Sequence, residues 1–507
     1  MEFKNVSRVA LAVAVLGGPR LAAAEEDQFR YGEDRSPSTL HPAFGRTMVD
    51  TRLEELIFEG LFSYDRFLNP VPSLAARAEF SPDRTQATVY LRQSFWHDGE
   101  PVTPADVVFT VQALQNPSSK AAARPTVALI DTVKITGPNA LLFTFKRPLV
   151  MPEQALMFKV LPRHKMAGPP LRTRDRFRAN PVGTGPFKFL KWSSTSLELI
   201  AHGERPSGIR SVLARFIPDK KVQLDFLQYD ALDAVVRVLP RHRPVIEGMA
   251  GKISLLPYES LSWWYLGVNH RRRALSSPDV RKALAFALDR DDLRRVHLGD
   301  GQTISGPFAP RSPFYNDDVA PRTFDKRAVA RHMKAAGYRK RRGFYAKRKK
   351  RLKLRLAVNK NWNAYKDVIL DLQSRLRAAG FDVKLDWLEP AVWRQRVQKK
   401  KNFDLSIGAW SFDEASDVYD LFHSRGGLNY GAYESDRMDA LLEQSRRTRD
   451  PELFREIQRR VHAHAHDDLP YVFLWSVQSY TAVTSRLTGV DIHPFRYFTW
   501  VSEWKWK

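Results

Sequence analysis

The sequence predicts an α/β protein built from more than one domain, and three observations carry that expectation. The chain has 507 residues, too many for one compact core, so two or three domains are the default. Hydrophobic residues make up 43% and charged residues 27%, the balance of a globular chain rather than a fibre or a disordered one. Residues 352–410 then run strand, helix, strand, helix, strand, an order that implies parallel strands joined by right-handed crossovers.

The elements follow in chain order. Residues 1–24 carry Lys4 and Arg8, an apolar run over 9–16, a Gly17-Gly18-Pro19 break and Ala22-Ala23-Ala24 ahead of three acids. That layout predicts a secretory signal peptide cleaved after about Ala24, with an apolar run too short to span a bilayer. Residues 28–61 mix a short strand with a helix-like stretch. In "ATVYLRQSFWHDGEPVTPADVVFTVQAL" a strand leads to an Asp98-Gly99 turn and a helix with Thr103 as N-cap and Pro104 at its first position. The turn "NPVGTGP", 180–186, has glycines but leads into the alternating strand "FKFLKW" rather than a helix N-terminus. It therefore launches a strand and does not cradle phosphate.

A helix near 221–227 precedes "WWYLGVN", 263–269. "SSPDVRKALAFALDRDDLRRVHLGDG" predicts a helix with Ser277 as N-cap, Pro278 first, Val280, Leu284 and Leu288 four apart, and Gly299 as its stop. Residues 339–355 hold eleven Lys or Arg in seventeen positions around Gly343-Phe344-Tyr345, which fits two short strands and a turn, an exposed basic hairpin. Strands follow at 352–358, 381–388 and 403–410. Between the first two, the helix 365–379 has Val368, Ile369, Leu372 and Leu376 on one face and Gly380 at its end. Pro390 starts a second, short helix. Residues 435–466 predict two helices capped by Ser435 and Asp450, and "YVFLWSV", 471–477, a buried strand returning toward the first lobe.

No cysteine is present, which removes disulfides, thiolate zinc sites, cysteine nucleophiles and lipid attachment at a signal-peptide cysteine. No G-x-S-x-G elbow, P-loop, G-x-G-x-x-G or H-E-x-x-H occurs. "HAHAHDD", 462–468, has two histidines one turn apart, but no third ligand is placed by sequence, so it reads as the polar face of a helix end. Three basic groups and one acidic group leave with residues 1–24, so the formal charge of +25 becomes +23. Such a balance suits a polyanionic partner, while a charge run by itself reads as a solvated face.

Ligands of open α/β sheets bind beyond the carboxyl ends of the strands. Those ends are Asn359–Asn361, Glu389 and Trp410–Asp413. In "GAWSFDEASDVYDLFHS" a tryptophan offers a flat wall, and Asp413 or Asp417 can pair with a ligand ammonium group. Trp264, Asn269, Asn359 and Trp393 complete the candidate ligand-binding set with Trp410, Asp413 and Asp417.

Seven stretches, in order, resemble one family: "STLHPAF", "LEELIFEGLFSYD", "FWHDGEPVTPADVVFT", "NPVGTGPFKFLKW", "LGVNHRRRALSSPDVRKALAFALDR", "GAWSFDEASDVYDLFHS" and "DDLPYVFLW". They are similar to the oligopeptide- and dipeptide-binding type, family five, of the extracellular solute-binding proteins that serve bacterial ABC importers. The resemblance implies a two-lobed periplasmic-binding-protein fold with an extra subdomain on the first lobe and a ligand cleft between lobes. The expected division is lobe I at 25–265 with the insert at about 62–180, lobe II at 266–478, and a C-terminal return over 479–507. It further implies a periplasmic, non-enzymatic carrier of short peptides, delivering to an inner-membrane permease, with a non-peptide cargo (nickel chelate, opine, haem or oligosaccharide) as the alternative. Trp410 would be a cleft wall. Asp413 matches the spacing of the ammonium anchor in peptide-binding members, while Asp417 and Tyr419 match a D-P-D-P-Y pattern of others without its prolines. No cofactor, metal or nucleic acid is expected; a monomer is, and so is contact of the basic hairpin with an anionic envelope surface.

Overall fold

The strand–helix–strand–helix–strand run forms as its pattern requires. In the computed structural model, which describes residues 27–203, 208–239, 242–258, 261–412, 417–494 and 496–507, strand Lys353–Asn359 lies parallel to both Asp382–Leu388 and Leu405–Ser411. The connecting helix Lys366–Ala379 buries Val368, Ile369, Leu372 and Leu376 and ends at Gly380, whose φ of 109° suits a residue without a side chain. Two antiparallel strands, Ser262–Val268 and Tyr471–Phe473, extend this to a five-stranded sheet. The signal-peptide expectation for 1–24 lies outside the described residues.

A second, seven-stranded sheet has the order Ile253–Tyr258, Ser479–Thr484, Ala234–Val235, Gln28–Glu33, Ser211–Phe216, Ser196–Ala201, Phe187–Trp192. Strand Ser479–Thr484 comes from near the C-terminus, and Tyr497, Phe498 and Trp504 bury themselves in the core of this first lobe beside Phe29 and Tyr31. A four-stranded antiparallel sheet, Ala75–Phe80, Gln86–Leu91, Ala140–Phe145 and Ile130–Gly137, forms a further layer. Helix Pro104–Gln115 packs on it, and the Thr103/Asp106 capping box starts that helix where the sequence places it.

The 180–186 turn owes its glycines to a close approach. A Cβ on Gly183 would sit 1.8 Å from the Ile57 carbonyl oxygen and one on Gly185 2.5 Å from the Ile57 carbonyl carbon, both backbone atoms that cannot yield. Gly185 N–H donates to Ile57 O at 2.8 Å, closing the end of helix Met48–Ile57. His97 clamps the same turn: its Nδ1 accepts from Gly183 N–H at 3.2 Å and its Nε2 donates to Gly185 O at 3.0 Å.

Three expectations change. The helix expected to run from Ser277 to Gly299 is two helices, Pro278–Phe286 and Arg290–His297, because Asp289 caps a new start by accepting from Asp292 N–H at 3.1 Å. The apolar run 471–477 is not one strand. Tyr471–Phe473 pairs with Ser262–Val268 and Trp475–Val477 with Gly301–Thr303. The basic stretch is a three-stranded ribbon, Arg339–Arg341, Phe344–Lys347 and Lys350–Arg351, and Tyr345 is buried against Phe381, so the ribbon is not exposed throughout.

Candidate functional site

A cleft of about 870 Å³ lies between the two large sheets and takes residues from both. The chain leaves the seven-stranded sheet after Tyr258 to enter the five-stranded one at Ser262, and returns after Phe473 to re-enter the first at Ser479; Tyr258, Ser262, Val477 and Ser479 line the cleft.

Its first-lobe wall starts at the carboxyl end of strand Gln28–Glu33. Glu33 is buried and grips Arg52 of helix Met48–Ile57 in a fork-to-fork pair, Nε–Oε1 and Nη2–Oε2 both 2.6 Å. Burial pushes the Glu33 carboxyl above its ordinary range and Arg52 pulls against that, while burial and Glu33 act in opposite senses on Arg52. The two-bond geometry favours the ionised form of each group against that burial. Lys220 opens helix Lys220–Gln228, where its Nζ donates to Gln223 Oε1 at 2.7 Å. Burial pushes its ammonium group down to about 8. Arg237 reaches across the cleft to donate to the Tyr365 hydroxyl at 2.8 Å. Arg243 lies 4.4 Å over the Tyr480 ring and pairs with Asp300 at 3.0 Å; Tyr480 also donates to Asp300.

The second-lobe wall is aromatic. Trp264 meets Trp362 at 4.5 Å and Tyr365 at 4.8 Å, both edge to face, with Ala409, Ser411 and Phe412 beside them. Strand register decides which tryptophans face the cleft. Trp264 pairs with Ala409 and Trp263 with Trp410, and successive side chains alternate between faces. Trp264 therefore lines the cleft. Trp410 does not: its ring stacks on Tyr265 at 5.9 Å and leans on Tyr430 at 6.0 Å, on the opposite face.

The other candidates separate in the same way. Asn269 is buried and its Nδ2 donates to the carbonyls of Lys401 and Phe403, both at 2.8 Å, so it ties strands together instead of meeting a ligand. Trp393 packs on Ala357, Leu388, Val397 and Phe403, away from the cleft lining. Asn359 accepts from Asn361 N–H at 3.0 Å and so caps the turn Lys360–Tyr365, which carries Trp362 and Tyr365 into the cleft. Asp417 is exposed, pairs with Arg446 at 3.3 Å and accepts from Tyr419 N–H at 2.9 Å. Asp413 lies outside the described residues, directly after the cleft-lining Phe412. Lys220, Arg237, Arg243, Trp362 and Tyr365 were not legible as a site, because they come from four separate elements with no shared motif.

His462 corrects the polar-face expectation. It is fully buried, with Nε2 at 2.7 Å from Ser305 Oγ, and burial pushes it down to about 3. Among the described residues no group of three or more metal-ligating side chains forms.

Residues 69–431 match the family described as bacterial extracellular solute-binding proteins, family 5, middle region. The chain belongs to this family. The family-5 chain is 25% identical over 492 residues to the oligopeptide-binding protein AppA of Bacillus subtilis, covering 93% of this chain and 90% of that one. It superposes on the structure of that AppA in complex with a nonapeptide with a TM-score of 0.77 at 24% identity, over 95% and 99% of the two chains. It also superposes on NikZ from Campylobacter jejuni in complex with Ni(L-His) with a TM-score of 0.78 at 22% identity, over 94% and 99%. The two-lobed fold expected from the sequence is thus that of the family.

Proposed function

We propose that this solute-binding protein captures short peptides in the periplasm and hands them to the membrane permease of an ABC importer. The observation that carries the reading is the cleft itself, which both lobes line at the ends of their strands and which lies within the size range of ligand sites. Membership of family 5 and the likeness to an oligopeptide-binding relative support peptide as the cargo. The aromatic wall of Trp264, Trp362 and Tyr365 offers apolar surface to side chains. Asp413 is the better candidate for the ammonium anchor, since it follows the cleft-lining Phe412, whereas Asp417 already has Arg446 as partner. The mature protein is proposed to be a monomer cleaved after about Ala24, held by no lipid because it has no cysteine.

Native mass spectrometry of the purified mature protein tests this. A ladder of co-purified short peptides is the expected result. A single non-peptide mass or a metal chelate would keep the carrier role and replace the substrate class, an outcome that the neighbour holding Ni(L-His) makes worth resolving.

A further inference from the structure

The cleft's charge is unbalanced, and the imbalance is concentrated in one place. Five cationic side chains line it, Arg35, Arg52, Lys220, Arg237 and Arg243, against two acidic ones, Glu33 and Asp34. Three of the cations are answered: Arg52 by Glu33, Arg35 by Asp34 at 3.3 Å, and Arg243 by Asp300. The remaining two form no direct ion pair among the described residues, and Lys220 feels the carboxylates of Glu33 and Asp34 only from a distance. Lys220 meets the neutral amide of Gln223 and Arg237 the neutral hydroxyl of Tyr365. Each uses one of its donors in this way, leaving two on the ammonium group and four on the guanidinium group.

Lys220 and Arg237 both line the first-lobe wall; burial first, then Arg52 and Arg237, push the ammonium group of Lys220 down, against the pull of Glu33 and Asp34. With five cations against two carboxylates on a partly buried wall, opposite an aromatic face, a further anion is favoured there. The planar fork of Arg237 matches a carboxylate, and a bound carboxylate would offset the repulsion and the desolvation together.

We propose that Lys220 and Arg237 form a carboxylate subsite in the cleft, so that this protein selects anionic cargo. The proposal rests on the cleft being the cargo site and refines the peptide reading by naming the charge of the peptide preferred. The half-buried ammonium group of Lys220 supports it, since a neighbouring carboxylate would restore the charge that burial disfavours. The groups facing Lys220 are Glu33 at the end of the first strand, Asp34 just after it, Arg52 from the helix that follows, and Arg237.

The test is calorimetric titration of the full mature chain at pH 7 with four tetrapeptides: Ala-Ala-Glu-Ala and Ala-Ala-Gln-Ala, each with a free or an amidated C-terminus. The peptide with both carboxylates should bind at least tenfold more tightly than the one with neither. In Lys220→Gln and in Arg237→Gln that ratio should fall below threefold, because the charged peptide loses far more affinity than the uncharged one. The wild-type ratio should also shrink between pH 7 and pH 9.5 as Lys220 loses its proton. Equal affinities across the four peptides, or losses in the variants as large for the uncharged peptide as for the charged one, overturn the subsite. If none of the peptides binds, the same variants are titrated with the cargo released from the purified protein. An anionic cargo weakened tenfold by either variant keeps the subsite while ending the peptide reading, and a neutral or insensitive cargo ends both.

Discussion

Trp410 and Trp264 stand one residue from being cross-strand partners, and that single step puts one on each side of the sheet. Their substitutions should differ accordingly. Trp410→Ala removes stacking on Tyr265 and Tyr430 and is expected to cost about 2 kcal/mol in a urea titration, half the usual loss for a fully buried tryptophan, with cargo affinity within threefold of wild type. Trp362→Ala, half-buried on the cleft wall, should do the reverse: a tenfold or greater loss of affinity and a stability change below about 1 kcal/mol. An affinity loss in the first variant would return Trp410 to the cleft. The histidines give a second prediction. Burial holds His41 and His97 down to about 4 and His462 to about 3. Below the ordinary imidazole value near 6.5 the unfolded chain takes up protons that the folded chain refuses, so stability falls with pH through that window. Each imidazole contributes about 1.4 kcal/mol per pH unit there. Asp98, held down to about 2 by Lys165 and His164 against its desolvation, adds its own loss only below pH 4. The urea midpoint should therefore drop between pH 6.5 and 4.5; a flat midpoint over that range contradicts the buried neutral histidines.

At the scale of elements, the basic ribbon and the glycine turn illustrate opposite relations between local sequence and packing. The turn's position was legible because Gly-Pro spacing ahead of an alternating run admits few alternatives, yet the reason for its glycines, the backbone of Ile57, comes from more than 120 positions away in sequence. The ribbon's charge was legible and its third strand was not, since two-residue strands leave no periodicity to read. Tyr345 anchors the ribbon to the second lobe's core, so deletion of 340–351 would remove packing as well as charge. Neutralising Arg339, Lys340, Arg341, Arg348 and Lys349 with glutamine separates the two. Cargo affinity should stay within twofold, while binding to vesicles of anionic phospholipid at low salt, the contact proposed for the ribbon, should fall at least tenfold. Undiminished vesicle binding would remove the envelope surface as its partner.

For the whole molecule, two lobes linked by two crossings invite hinge closure about the cleft. The pairs Arg237–Tyr365 and Arg243–Asp300 already bridge the lobes in this structure. Cargo that touches both walls stabilises the closed arrangement, and at a hundredfold excess over Kd the folded state should gain about 2.7 kcal/mol. A rise in Tm together with a smaller radius of gyration in small-angle scattering is expected. A Tm rise without compaction would mean that the unliganded lobes are already closed.

Local pattern determined the elements that depend on neighbours in sequence: the parallel strands 352–410, the helix ended by Gly380, the Thr103 cap and the strand entry at 187. The family was legible for the same reason, because its marks are turns, caps and strand ends. Tertiary structure decided the site. Trp264 faces the cleft and Trp410 does not because of a register set by the partner strand. Asn269 turned out to bind backbone carbonyls 132 and 134 positions away. Lys220 and Arg237 acquired significance only when folding placed them on one wall opposite Tyr365. Periodicity encodes which face a residue belongs to, but what that face meets depends on contacts between distant segments.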